Sequence, residues 1–376
     1  MEFKINKNNW TKVRLSDVLT KKEENDKENA SNRFDRFLKV EHMDAESLHI
    51  KRWSSQEKGD EINPYFYKIF RKGQMLFPTR NPHLRRTALA SFDGITGEKT
   101  LTLEPNKEFL CSEFIPFLFH SESFYNHTIG AIIGSTNPHV RWRDVASFEF
   151  LLPPKDQQVK FAELLWAMDE VIEKEKQMIK ELQKNDLSRL KYFFHDDKKS
   201  IRIKLKNIVK IKKGKNPSLL LEKGDGIPYC TAKYLRSGEI ESIVPNELIS
   251  KSIVIDESDI LVLWDGSNAG EMLLGKKGVL ASTMCKLDII DKNFRKEFIY
   301  AFLRFKNNDI KRATVGSAIP HVDPGMINNI GIPKLKLEQQ DNVINILSSL
   351  NESINNVKVK LESSQSLQKS IINQIF

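Results

Sequence analysis

Arg80-Asn81-Pro82-His83-Leu84-Arg85-Arg86 puts three guanidinium groups, an imidazole and an amide on a segment bent by proline. These groups suit phosphate oxygens and base edges; the alternative is a solvated turn between strands. Arg141-Trp142-Arg143 sets two guanidiniums about an indole, which fits either a phosphate contact or a core tryptophan flanked by snorkelling arginines. Arg202, Lys204 and Lys206 alternate with Ile201, Ile203 and Leu205, predicting a strand with one basic face that continues into Lys210, Lys212, Lys213 and Lys215. Such a face either meets phosphate or is merely solvated. Lys233-Tyr234 and Trp264-Asp265-Gly266-Ser267-Asn268 offer further polar groups on expected turns.

Catalytic chemistry has less support. His139 and His321 recur within Gly-Ser-x-x-Pro-His-Val, but neither a Ser-His-Asp order nor metal-ligand spacing accompanies them. They read as histidines that fix a turn or donate to a phosphate. Gly270-Glu271-Met272-Leu273-Leu274-Gly275-Lys276-Lys277 imitates a phosphate-binding loop but has Lys277 where magnesium chemistry needs Ser or Thr, and its Met-Leu-Leu centre predicts a strand. Asn63-Pro64-Tyr65-Phe66 approaches an amino-methyltransferase motif without the second proline or a glycine-rich cofactor loop. Cys111, Cys230 and Cys285 are isolated, so no disulfide framework or zinc site is expected. The expectation is a chain without cofactor or metal, whose catalysis would come from partners.

With 376 residues, a formal charge of +9 and a pI near 9.2, the chain should form at least two domains and meet an anionic partner, nucleic acid above all. The odd cysteines fit a reducing compartment. The amino-terminal residues lack a signal-peptide core, and no apolar run approaches the ~18 residues of a membrane span. A cytoplasmic protein is expected.

The elements that must position these groups are duplicated. Gly134-Ser135, Pro138-His139-Val140 and Gln157-Gln158 recur 182 residues on as Gly316-Ser317, Pro320-His321-Val322 and Gln339-Gln340. Lys155 to Phe194 contains neither Gly nor Pro and predicts a helix of about 40 residues, reaching ~60 Å. Phe161, Leu165, Met168, Ile172, Ile179 and Leu182 form a heptad seam from which Glu175 departs. Its copy is Val343, Leu347, Leu350, Ile354, Val357 and Leu361, broken at Ser364. Two narrow stripes of equal length predict an antiparallel coiled coil. The expected division is a mixed block over 1–152, a helix over 153–198, a second block over 199–334 and a second helix over 335–376. The blocks scarcely match each other in sequence. Within them, strands are expected at 99–103, 253–255, 260–264 and 285–290, helices at 113–124 and 296–306, and a mobile charged loop at 21–32.

This order of variable block, Gly-Ser-x-x-Pro-His-Val, proline, Gln-Gln and long helix, given twice, resembles the specificity subunit of type I restriction-modification systems. Val40-Glu41-His42-Met43-Asp44, Lys72-Gly73-Gln74-Met75-Leu76-Phe77, Phe92-Asp93-Gly94-Ile95, Ile227-Pro228-Tyr229, Gly238-Glu239-Ile240 and Asp259-Ile260-Leu261-Val262 are similar to phrases of that family. The resemblance implies an α+β fold with a pseudo-two-fold repeat. Two target-recognition domains would each read half of an interrupted site in double-stranded DNA, and the helices would set the gap. It further implies two methyltransferase subunits on those helices and restriction-translocase subunits joining them. The second frame lacks the basic residues that Arg141 and Arg143 give the first. Two alternatives remain at this stage: a related system in which methylation and cleavage share one partner chain, and a coiled-coil scaffold that binds protein rather than DNA.

Overall fold

The computed structural model describes residues 5–195, 201–316 and 319–376. Ser317 of the second frame and the expected junction at 198–199 lie outside the described residues. The chain divides into two compact units, Met1–Gln177 with Lys358–Phe376, and Met178–Val357. Each joins one variable block to part of both long helices.

Between the copied frames the sequences diverge, yet the chain path repeats. In the first unit a four-stranded sheet runs Leu19–Lys21, Thr100–Pro105, Met75–Pro78, Ala88–Leu89. In the second the same order is Val209–Lys213, Met284–Ile289, Ile260–Leu263, Met272–Leu274. The central strands Met75–Pro78 and Ile260–Leu263 are buried along their whole length, as continuous apolar strands covered on both faces must be. A further sheet in each unit contains one parallel pair, Phe37 beside Ile95 and Tyr229 beside Val279. A short antiparallel pair ties the start of each unit to the strand before its long helix, Thr11 opposite Leu152 and Arg202 opposite Pro333.

The helices are Lys155–Phe194 and Leu337–Ile375. All twelve seam residues, Phe161 to Leu182 and Val343 to Leu361, are buried or half-buried. Within the first unit the two helical segments run antiparallel, since Gln368 Nε2 donates to the Leu165 carbonyl at 3.2 Å and Ser364 Oγ to Glu175 at 3.3 Å. The two residues that interrupt the seams therefore meet each other. Within the second unit Leu190 and Phe194 share a core with Val343 and Leu347.

Several local expectations are corrected. Residues 21–32 are not a bare loop: they hold the strand Glu24–Asn25 and lead into the helix Ala30–Arg33. Charge pairing supplies what apolar residues do not, with Lys68 on Glu23 at 2.8 Å, Arg71 on Glu24 at 2.7 Å and Arg33 on Asp26 at 2.9 Å. The expected helix at 113–124 is two elements, a 3-10 helix Ile115–His120 and an α-helix Glu122–Gly130. Pro116 lies in the first, and Ser121 caps the second by accepting the Phe124 N–H at 3.2 Å. The basic strand is only Arg202–Lys204, because Leu205 turns into the core and opens a 3-10 turn that carries Lys206. Lys233 and Tyr234 lie on the helix Ala232–Ser237, not on a turn. The expected strand at Met272–Leu274 is present.

Candidate nucleic-acid interface

The copied frame is a clasp on one loop. In the first unit His139 and Ile133 exchange backbone hydrogen bonds at 3.0 and 2.9 Å, closing the Gly134 turn. The frame then reaches the chain leaving the central strand, with Val140 N–H on the Thr79 carbonyl at 3.0 Å and Asn81 N–H on the Pro138 carbonyl at 2.8 Å. The second unit repeats each contact: His321 with Val315 at 2.8 and 2.9 Å, Val322 N–H on Trp264 and Gly266 N–H on Pro320, both at 2.9 Å. Glycine is required at each turn. Gly134 and Gly316 have φ of +82° and +98°, and a Cβ on Gly316 would stand 2.7 Å from the Ile319 carbonyl oxygen. His139 is half-buried with Nδ1–H donating to the Asn137 carbonyl at 2.9 Å, a turn-fixing contact.

Each clasp thus holds Arg80–Arg86 in one unit and Asp265–Asn268 in the other, at equivalent places after equivalent strands. Nothing in the sequences of the two segments shows this equivalence; the clasps do. Arg80 and His83 are exposed, and the Arg80 guanidinium meets no carboxylate among the described residues. Beside Arg80 lies a cleft of about 370 Å³ with Leu38, Val40 and Phe66 in its wall and Asn63, Tyr65, Glu98 and Lys99 among its polar residues, Lys99 being paired with Glu98 at 3.0 Å. Tyr65 is 69% exposed. Tyr65 and Lys99 are not among the expected contacts, because they are distant in the sequence and only the fold brings them to this cleft. In the second unit Ser267 and Asn268 are exposed, and Lys213 is paired with Asp265 at 2.8 Å. Lys212 is paired with Asp288 at 2.5 Å.

Arg85 sits differently. Its Nη1 and Nη2 each donate to Glu122 at 2.6 Å, Nη1 also reaches Glu46 at 2.9 Å, and the guanidinium lies 4.8 Å from the Tyr125 ring centre. Lys369 on the second long helix completes the network, 2.7 Å from Glu122. The hydrogen bonds from Arg85 and then Lys369 hold the Glu122 carboxyl down at about 2. Arg85 therefore holds the loop to the unit, with its donors turned inward. Arg86 is half-buried and donates to the Val40 carbonyl at 3.3 Å.

The remaining candidates are dispersed. Arg141 donates to Asp144 at 2.8 Å across the start of the helix Trp142–Ala146, Arg143 lies 3.6 Å from the same carboxylate, and Trp142 packs on the core. The second frame starts its equivalent helix with Asp323, which accepts the Gly325 N–H at 2.8 Å. Arg202 donates to the Gly331 carbonyl at 3.2 Å, and Lys204 and Lys206 are exposed. Lys233 is held by Glu241 at 2.9 Å and Glu239 at 3.2 Å. Tyr234 is covered by Lys276, whose ammonium lies 5.3 Å from its ring centre. Burial pushes the Cys230 and Cys285 thiols up to about 12, so neither is poised as a nucleophile. Among the described residues no group of His, Cys, Asp and Glu could hold a metal, and no helix is long and apolar enough to cross a membrane.

The Gln-Gln pair explains how the long helices dock. Gln158 and Gln340 are fully buried. Gln158 Oε1 accepts the Cys111 N–H at 2.8 Å, while Nε2 donates to Phe109 and Pro153 at 3.0 and 2.9 Å. Gln340 does the same with the Arg295 N–H at 2.8 Å and the Asn293 and Leu335 carbonyls at 2.8 and 2.9 Å.

One scaffold used twice, each time offering a different polar loop, defines a duplicated presentation fold. The profile of a family described as the type I restriction modification DNA specificity domain matches residues 7–184 and 198–363. The chain belongs to that family. It is 37% identical over 176 residues to the type I restriction enzyme MjaVIII specificity subunit of Methanocaldococcus jannaschii, a match spanning 46% of this chain and 41% of that one. It is 26% identical over 314 residues to the MjaIX specificity subunit of the same organism, spanning 76% of this chain and 72% of that one. The crystal structure of a type I restriction-modification S subunit from M. genitalium shares the fold, with a TM-score of 0.62 at 18% identity over 100% of this chain and 98% of that one.

Proposed function

We propose that this chain is the DNA-reading subunit of a type I restriction-modification complex, with each unit meeting one part of an interrupted site. The observation that carries the reading is the clasp. Two backbone frames of the same geometry hold two loops of different chemistry at the same place in each unit. Arg80, with Tyr65 beside it, offers a cation and a stacking face in the first unit, with Lys99 held by Glu98 at 3.0 Å. Asp265, Ser267 and Asn268, with Lys213, offer an acceptor-rich set in the second. Arg is suited to guanine and Asn to adenine edges in the major groove, so the two loops should prefer different bases. Lys204, Lys206 and the other exposed cations would supply sequence-independent attraction to phosphate.

In this reading the chain performs no chemistry. Methyl transfer and cleavage belong to methyltransferase subunits, two of them docked on the long helices, and to restriction-translocase subunits that join the assembly. The test is selection from a random duplex library by the chain bound to its methyltransferase partner. Two short sequence elements at a fixed separation are expected in the bound pool. One uninterrupted element, or no enrichment over input, overturns the reading.

A further inference from the structure

We propose that the second unit carries an apolar wedge, Leu219 and Leu220, that enters duplex DNA at a base step beside the sequence element met by the Asp265–Asn268 loop and parts that step. The inference rests on the reading above, in which that loop meets DNA.

Both leucines lie on the surface, Leu219 50% and Leu220 40% exposed, in a turn that is tied down at each end. At its start Gly214 N–H donates to the Met284 carbonyl at 2.9 Å, and the Tyr229 hydroxyl donates to Asn216 Oδ1 at 3.0 Å. At its close Leu221 and Ile243 exchange backbone hydrogen bonds at 2.9 and 2.7 Å. Only Pro217-Ser218-Leu219-Leu220 stands between these ties, and the proline ring fixes one of its φ angles. A tip held in this way loses little conformational freedom on binding. The turn is also tied to the residues that hold the reading loop. The Thr283 carbonyl accepts the N–H groups of Trp264 at 2.8 Å and Asp265 at 3.2 Å, where that loop begins. The preceding Ser282 N–H donates at 2.8 Å to the Tyr229 hydroxyl, the group that holds Asn216. The leucines are therefore continuous with the loop that the clasp presents.

Charge favours DNA as the occupant. Lys215, in the turn itself, and Lys210, on the strand that leads to it, are exposed and meet no carboxylate among the described residues. The exposed Glu222 and Asp225 follow Leu221, beyond its pairing with Ile243. Leucine is one of the side chains that part base steps, and ammonium groups beside it suit the flanking phosphates.

The first unit differs at the same place. Its equivalent edge strand, Leu19–Lys21, runs on into Lys22–Asn29, which contains no apolar residue and is ordered by the pairs of Glu24 with Arg71 and Asp26 with Arg33. Lys99, whose carbonyl accepts the Thr79 N–H at 2.8 Å as Thr283 accepts Trp264, has the exposed Tyr65 in the same cleft. That ring suits stacking on a base face. The units thus flank their reading loops with different apolar groups, and the wedge predicts a parted step at one end of the site only.

The test is a mismatch scan on the duplex that the full chain, bound to its methyltransferase partner, selects from the random library. A mismatch makes a base step easier to part. Wild-type affinity should therefore rise by about tenfold when the mismatch falls on one step beside the element that Asn268→Ala erases, and on no step beside the other. The double variant Leu219→Ala, Leu220→Ala should lose that rise and bind the matched duplex more weakly. Its melting temperature and its affinity for the methyltransferase subunit should stay as in wild type, since both side chains are exposed. Two selected elements without such a step, or a rise that persists in the variant, overturn the wedge and leave the reading intact. A variant that keeps the mismatch profile and loses methyltransferase affinity makes the tip a protein contact and overturns the wedge. A chain that selects no sequence overturns the reading and the wedge together.

Discussion

The two units hold the same loop by unlike means. In the first, Arg85 adopts φ of +51° and is bound by Glu122 and Glu46, while Lys369 reaches Glu122 from the second long helix. In the second, the chain closes on itself at Gly270, with φ of +90°, where a Cβ would lie 3.0 Å from Ile310 Cγ2 and 3.2 Å from the Lys311 nitrogen. The first loop is held by a charge network that reaches the second long helix, and the second by close backbone approach together with the single Lys213–Asp265 ion pair at 2.8 Å. The shared clasp sets where the loop sits, and the buried glutamine sets where the long helix docks; the unshared tie sets how the loop responds to pH and mutation.

The largest effect is expected where the units agree. Gln158→Leu and Gln340→Leu each strand two carbonyls and one N–H in the interior, and at ~1–3 kcal/mol for each stranded group either should cost roughly 3 kcal/mol or more in urea unfolding. A loss confined to one of the pair would break the equivalence of the units. Where they differ, Gly270→Ala should destabilise the second unit by roughly 1–3 kcal/mol through its positive φ and the contact with Ile310. Thermal melting of the variant measures this, and an unchanged melt would show that the turn relaxes.

The Arg85–Glu122 tie predicts a pH effect in the first unit. Glu122 has its carboxyl lowered from 4.5 to about 2, so it stabilises the fold above about 4.5 and loses that contribution as pH falls toward 2. Wild type should therefore lose stability over that interval relative to Glu122→Gln, and parallel pH curves for the two would remove Glu122 from the account. The smallest effect concerns salt. Lys204→Ala should flatten the dependence of DNA affinity on salt by roughly one phosphate contact, whereas Arg85→Ala should leave the slope nearly unchanged. An equal change in both would mean that Arg85 leaves Glu122 to meet DNA.

The repeat, both long helices and the heptad seams were legible because they rest on periodicity and on Gly and Pro, which act locally. The shared path of the variable blocks was not legible. Met75–Pro78 and Ile260–Leu263 occupy the same place with different residues, since a fully covered strand needs only to be apolar. The Arg80–Arg86 segment was found from its composition, but that composition does not separate Arg80, which faces outward, from Arg85, whose partners Glu122 and Lys369 are distant in the chain. Tyr65 and Lys99 were missed for the same reason: only the sheet brings them beside Arg80. Residues 21–32 misled because their low apolar content hid the ion pairs that order them.

The most direct test of two loops reading separately is the random-duplex selection repeated with Arg80→Ala and with Asn268→Ala, each bound to the methyltransferase partner. Arg80→Ala should erase preference within one sequence element and leave the other intact, and Asn268→Ala should do the reverse. If either variant weakens both elements alike, or neither, the units do not read DNA through the loops that the clasps hold.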